Sequence, residues 1–288
     1  MQGKICIVTG ATSGIGKATA MGLAKFGATL VLPCRNPNKG KHLFAEIRSQ
    51  VPKAKVFIMP LDLSSQINIR SFVESFQSRF NHLDVLINNA GIINKHFVRT
   101  EDGIEETFAI NVLAPFILNN LLLPNLIKSE QGRIINVSSW SHFKGQLNVD
   151  DIQECGHYSG LRAYAQSALA RILITYEEAR KLEGVAVTVN TLHPGGIRTN
   201  IGKNNSGFLA SLYNLIRFFQ ASPEQGASTP LYLAISDEVR DISGKYFVGS
   251  KQARSSPLSY DRDIGAQCWN TCCELTGIPS KYCKDACL

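Results

Sequence analysis

Short apolar runs recur along the chain at helix-length intervals, and they indicate the architecture before any single residue is considered. KICIVT at 4–9, TLVL at 29–32, VFIM at 56–59, VLI at 85–87, RIINV at 133–137, AVTVN at 186–190 and YFV at 246–248 each read as a buried strand. Between them lie helical segments at 17–26, closed near Gly27, at about 37–50 and near 66–80. Continuously apolar strands, as opposed to alternating ones, belong to a parallel sheet covered on both faces. The pattern predicts an α/β fold of Rossmann-like, doubly wound type. Its mostly parallel, seven-stranded sheet would carry helices on both faces, with 1–288 forming one domain. Right-handed crossovers then leave a ligand crevice at the carboxyl ends of the strands.

The positions that carry chemistry fall after those strands. TGATSGIG at 9–16 directly follows the first. Gly10 permits the tight turn, Gly14 lets a phosphate approach the backbone, and Gly16 lets the helix pack closely; the helix start then offers unpaired N–H groups to an anion. Ser13 and Ile15 belong to the same turn. The run lacks the Lys-Ser/Thr ending of a phosphate-hydrolysing loop. Arg35 follows the second strand, where an acidic residue would favour the ribose hydroxyls of NAD and a basic one a 2′-phosphate. Lys17 adds a second positive charge nearby. Each of these has a plainer alternative as a structural turn or a surface cation.

This arrangement resembles the short-chain dehydrogenase/reductase family, whose cofactor motif has the form TGxxxGxG, over about 4–248. The resemblance implies an NADP(H) cofactor. It places Asp62 and Leu63, in PLDLSS, beside the adenine, and assigns NNAG, with Asn89, Ala90 and Gly91, to the cofactor side of the sheet. Pro194, Gly195, Ile197 and Thr199, in HPGGIRT, would surround the carboxamide. Ser139 matches the family's substrate-positioning serine, Tyr164 its general acid/base, and Asn111 the asparagine that stabilises a kinked helix and a proton-relay water. Reversible hydride transfer between nicotinamide C4 and a carbonyl carbon follows as the implied reaction.

One member of that set is absent. The family pattern is YxxxK, whereas the chain reads Tyr164-Ala165-Gln166-Ser167-Ala168. A lysine at 168 would share a helix face with Tyr164, hold the nicotinamide ribose and favour tyrosinate; free tyrosine ionises only near pH ~10. Ala168 predicts severe impairment. A lysine engineered to alanine, a natural cofactor-binding protein without catalysis, and an enzyme drawing positive charge from elsewhere all account for it. Arg171, seven residues beyond Tyr164, lies roughly on the same face but another turn away.

Composition narrows the partners. Apolar residues at 44% and charged residues at 18% suit a folded globular chain. Thirty Lys+Arg against 23 Asp+Glu give a net charge of +7, which suits anionic ligands or membrane headgroups. The basic residues are scattered without aromatic spacing, so no nucleic-acid partner is expected. No uninterrupted run approaches the roughly 18 apolar residues that cross a bilayer, and the first strand starts too early for a signal peptide. The expected location is cytoplasmic, or peripheral on a cytoplasmic membrane face.

The segment 200–222 contains FLASLYNLIRFF, which reads as a substrate cover, a homodimer surface, a membrane-facing patch or a core helix. Trp140, Phe143, Phe208, Leu212, Phe218 and Phe219 are candidate substrate-lining residues, implying a lipophilic alcohol, aldehyde or ketone. His142 and His157 show no metal-ligand pattern. Five of the eight cysteines crowd the tail within 258–288, and Cys268/Cys272 and Cys283/Cys287 are each four apart. Reduced, partly buried thiols are the simplest reading, and no metal is expected. CWNTCCELTGI at 268–278 resembles the terminal helix of the retinol-dehydrogenase-like branch, as does the 25-residue separation of Ser139 and Tyr164. A sensor or interaction protein that binds NADP(H) without turnover is the alternative function.

Overall fold

The alternation inside the first strand shows how the sheet is covered. In β1 (Ile5–Val8), Ile5 and Ile7 pack into one buried cluster while Cys6 and Val8 pack into a second. A period of two distributes a continuously apolar strand between two faces. The computed structural model describes residues 1–148, 152–153, 158–195 and 222–280.

The remaining elements are α1 (Gly14–Lys25), β2 (Thr29–Cys34), α2 (Pro37–Gln50), β3 (Lys55–Pro60), α3 (Gln66–Gln77), β4 (Val85–Asn88) and α4 (Glu106–Ile127). They continue with β5 (Gly132–Val137), α5 (Gly160–Lys181), β6 (Val187–His193), α6 (Pro223–Ile235), β7 (Tyr246–Val248), β8 (Lys251–Ala253) and α7 (Arg262–Thr276). Strand order is β3-β2-β1-β4-β5-β6-β7-β8. All pairs through β7 are parallel. The order reverses between β1 and β4, where a doubly wound sheet opens its crevice.

The Rossmann-like architecture agrees with the sequence, and the sheet gains one strand beyond the seven expected. That strand, β8, pairs antiparallel with β7 at the edge. Its three residues, Lys-Gln-Ala, are exposed and carry no apolar signal. Helices α1, α2 and α6 cover one face, and α3, α4 and α5 the other, with α7 outside them.

Helix α4 departs from the sequence reading. Although broken by asparagines, its 22 residues are long and apolar enough to span a membrane by length and composition, yet 78% of its most apolar window is buried inside the fold. It is a core helix packed on all sides, each buried Phe, Leu or Ile adding roughly 1.5–3 kcal/mol. In α7, Cys268 and Cys272 are completely buried free thiols beside Trp269, whose ring meets Phe116 edge-on at 4.8 Å. These cysteines act as small hydrophobes. Cys155, Cys283 and Cys287 lie outside the described residues.

Candidate active site

A cleft of about 730 Å³ runs along the carboxyl ends of the central strands. At its middle, the glycine-rich turn is fastened to the end of β4. The Thr9 hydroxyl accepts the N–H groups of Asn89 and Ala90, both at 3.0 Å, and the Asn89 amide donates to the Thr9 carbonyl at 2.9 Å. This leaves no room for a side chain at Gly16, where a Cβ would lie 2.4 Å from both Asn89 Nδ2 and the Gly10 carbonyl. Gly14 is different: its φ is +53° and a Cβ there would meet nothing, so it borders open cleft.

Helix α1 starts at this turn without the usual cap. Ser13 makes no side-chain hydrogen bond to the first turn, nor does Ser159 at the start of α5, whereas Asn36, Ser65, Ser222 and Asp261 cap α2, α3, α6 and α7. Helix N-termini leave N–H groups unpaired unless a side chain or ligand accepts them. Together with Gly10, Gly14, Ile15 and Gly16 along the same wall, that uncapped start fits a diphosphate.

At one end of the cleft, β2 and β3 deliver Arg35, Lys39, Asp62 and Leu63. Arg35 is 69% exposed and lies 3.7 Å from the Asp62 carboxylate, which also accepts the Ser64 N–H and hydroxyl at 2.9 and 2.7 Å. An exposed pair of this length contributes little to stability; the guanidinium is available to another anion. Lys17 takes no part, because it pairs with Glu46 at 2.8 Å and does not line the cleft. Lys39 takes the second positive position instead. The signal was present in Asn36-Pro37-Asn38-Lys39, a capped helix start just past the strand, but a single lysine in a polar helix does not stand out. Among the described residues the lining carries three basic side chains, Arg35, Lys39 and Arg171, against one carboxylate, Asp62. That balance suits a multiply anionic ligand.

At the other end, β5 and α5 bring Ser138, Ser139, Tyr164, Ser167 and Ala168 to the same wall. Ser138 donates to the Ala168 carbonyl at 2.9 Å, a tie between strand and helix. Among the described residues, the Ser139 hydroxyl engages Ser141, accepting its N–H and donating to its hydroxyl, both at 3.2 Å. Its hydroxyl is the freer of the two. Asn111 sits in a π-helical turn, Ala109–Leu113, within α4. Its side chain accepts the Ile92 N–H at 2.8 Å and donates to the Ile92 carbonyl at 2.9 Å and the Ser167 hydroxyl at 3.0 Å. Insertions of this kind widen a helix locally and redirect its carbonyls.

The short chain dehydrogenase profile matches residues 4–208. The chain belongs to the short-chain dehydrogenase family. It is 38% identical to retinol dehydrogenase 12 of Mus musculus over 278 residues, covering 96% of this chain and 88% of that protein. It is 39% identical to human retinol dehydrogenase 13, covering 99% and 88%. Its structure is similar to a crystal structure of an uncharacterised protein from Mycobacterium paratuberculosis, at a TM-score of 0.77 and 30% identity over 96% of this chain and 94% of that one. A short chain dehydrogenase from Shigella flexneri, complexed with NADP, gives a TM-score of 0.66 at 25% identity, covering 87% and 98%.

In this family member, His193 is a lining residue that motif reading passed over. It ends β6, and its Nδ1 accepts the Trp140 N–H at 3.2 Å. Burial, then the neighbouring His142, pushes its pKa down to about 4, so the imidazole is neutral near pH 7. Pro194 and Gly195 follow it in the lining, with φ of +90° at Gly195.

Trp140 and Phe143 do not line the cleft. They form an exposed aromatic pair, 58% and 41% accessible with rings 4.5 Å apart, next to His193. Both stand in a short 3-10 helix, Trp140–Lys144, in which His142 is buried. Ile92, Ile93 and Ile110 supply apolar lining instead. Ile197, Thr199, Phe208, Leu212, Phe218, Phe219 and His157 lie outside the described residues, as does nearly all of 200–222.

Proposed function

We propose that this chain is an NADP(H)-dependent oxidoreductase that interconverts a lipophilic alcohol and its aldehyde or ketone. One observation carries the reading: a single cleft has an anion-fitting glycine cradle at its centre, two basic side chains at one end and the Ser139 and Tyr164 hydroxyls at the other. The similarity to retinol dehydrogenases, named for a lipophilic alcohol, supports the substrate class. Complexation of a similar dehydrogenase with NADP supports the cofactor.

Gly10, Ser13, Gly14, Ile15 and Gly16 would hold the diphosphate, and Arg35 with Lys39 the 2′-phosphate. Asp62 and Leu63 would flank the adenine. Asn89, Ala90, Gly91, Pro194 and Gly195 would border the nicotinamide half. The bound cofactor supplies or takes the hydride at the substrate carbon. In reduction, Ser139 donates to the carbonyl oxygen and orients it, while the Tyr164 hydroxyl gives that oxygen a proton as negative charge develops. The product is the alcohol, with NADP⁺ and a tyrosinate that regains its proton from solvent. Oxidation reverses each transfer.

Ala168 favours a second reading, an NADP(H)-binding sensor or interaction protein without turnover. Kinetics separate the two. NADPH consumption is followed across a panel of lipophilic aldehydes and ketones for the unsubstituted chain, for Ala168→Lys and for each combined with Tyr164→Phe. Turnover in at least one of the first pair, abolished by Tyr164→Phe, is expected. Tight NADPH binding with no turnover in either would establish the sensor reading.

A further inference from the structure

We infer that Arg171 is a positioning residue for this reaction, supplying from one helical turn farther along the positive charge that Ala168 cannot. The inference rests on the oxidoreductase reading above.

The geometry follows from the helix. Position 171 lies three residues beyond 168, about 4.5 Å of rise. Side chains on an α-helix lean toward its N-terminus, over the preceding turn. A long arginine at 171 therefore covers the level of residue 168, which alanine leaves vacant. The contacts agree. Arg171 Nε donates to the Asn111 carbonyl at 2.7 Å, and Nη2 donates to that carbonyl and to Ala90 at 3.2 Å. Nη1 donates to the Val137 carbonyl. The guanidinium thus links the segments after β4 and at the end of β5 to the π-helical turn, and Arg171 lines the same cleft as Ser138, Ser139 and Tyr164.

The electrostatics point the same way. Arg171 is buried, and its three acceptors among the described residues, the carbonyls of Ala90, Asn111 and Val137, are all backbone. Burial lowers its pKa to about 10, partly offset by the neighbouring Tyr164, so it stays charged at neutral pH. A buried cation without a carboxylate is costly, and the Tyr164 side chain lines the same cleft. Among the described residues, four of the guanidinium's five N–H groups are engaged. The two-donor grip also ties the guanidinium to the Asn111 carbonyl of the π-helical turn.

The test compares NADPH-dependent turnover of the unsubstituted chain, Arg171→Gln, Arg171→Lys, Ala168→Lys and the double variant Ala168→Lys/Arg171→Gln. The unsubstituted chain is expected to be active. Arg171→Gln should lose roughly 100-fold in kcat with little change in the KM for NADPH, and the rising limb of alcohol oxidation should move to higher pH. Arg171→Lys should lose no more than about tenfold, and the double variant should recover most of the rate. A purely structural arginine would lower thermal stability without shifting the pH limb, and lysine at 168 would not rescue it. Should Arg171→Gln fail to fold, Arg171→Lys decides: activity in the folded protein supports the assignment, and its loss there overturns it. An inactive unsubstituted chain beside an active Ala168→Lys overturns the role of Arg171 and leaves the oxidoreductase reading intact. Inactivity of both overturns that reading itself.

Discussion

Replacing Gly16 with alanine is the sharpest probe of the cradle, because Gly22 on the same helix provides an internal control. Both lie in α1, so both substitutions gain up to about 1 kcal/mol of helix propensity. Their surroundings differ. A Cβ at Gly22 would meet the end of the Leu231 side chain at 2.6 Å, which can rotate away. A Cβ at Gly16 would lie 2.4 Å from the Gly10 carbonyl and from Asn89 Nδ2. The carbonyl is backbone, and the amide is held by its 2.9 Å bond to Thr9. Overpacking of this kind costs about 1–3 kcal/mol and loss of the Asn89 bond about 1 more, so Gly16→Ala should end about 1–3 kcal/mol less stable after the helix gain. Gly22→Ala should be near neutral. Thermal unfolding checks the stabilities and nicotinamide fluorescence titration the affinities. NADPH binding should weaken by at least roughly tenfold in Gly16→Ala alone. Equal melting temperatures and equal affinities in the two variants would refute the cradle.

Three further outcomes follow from the site. Arg35→Ala should weaken NADPH binding by roughly 10–100-fold, equivalent to losing one charge-assisted contact of about 1.5–3 kcal/mol, and leave NADH almost unaltered in calorimetric titrations; an equal fall for both would place Arg35 away from the 2′-phosphate. Ser139→Ala should lower kcat by roughly 10²–10³ in steady-state kinetics while NADPH affinity holds, and an unaltered kcat would remove Ser139 from the reaction. His193, with its pKa lowered from 6.5 to about 4, is neutral when folded and takes up a proton when unfolded between those values. Its contribution to stability is present above about pH 6.5 and is lost as pH falls toward 4. His193→Gln should flatten that part of the stability–pH curve measured by denaturant titration, and an unchanged slope would discount the burial.

The parts of this molecule that sequence made legible are those where local chemistry and tertiary position coincide. Strands such as ICIV and RIINV are apolar because both their faces are covered, and TGATSGIG announces its turn through glycines that the fold requires for close approach. Elements whose role depends on packing direction were not legible in that way. β8 has no apolar signal because edge pairing fixes it. Trp140 and Phe143 look like pocket residues in sequence, whereas among the described residues they form an exposed pair on a 3-10 turn. Lys17 and Lys39 are indistinguishable by composition, and only the ion pair to Glu46 removes the first from the site. For Arg171, residue spacing gives only the seven-residue separation from Tyr164, and the carbonyls that hold its guanidinium come from other elements.

Isotope transfer reports most directly on whether the cleft performs hydride chemistry. NADPH deuterated at the transferable nicotinamide C4 position is mixed with the unsubstituted chain and a lipophilic aldehyde, and the alcohol is analysed by mass spectrometry. One deuterium on the carbinol carbon, absent in Tyr164→Phe, is the expected result. Tightly bound NADPH with no labelled alcohol from either the unsubstituted chain or Ala168→Lys would contradict it.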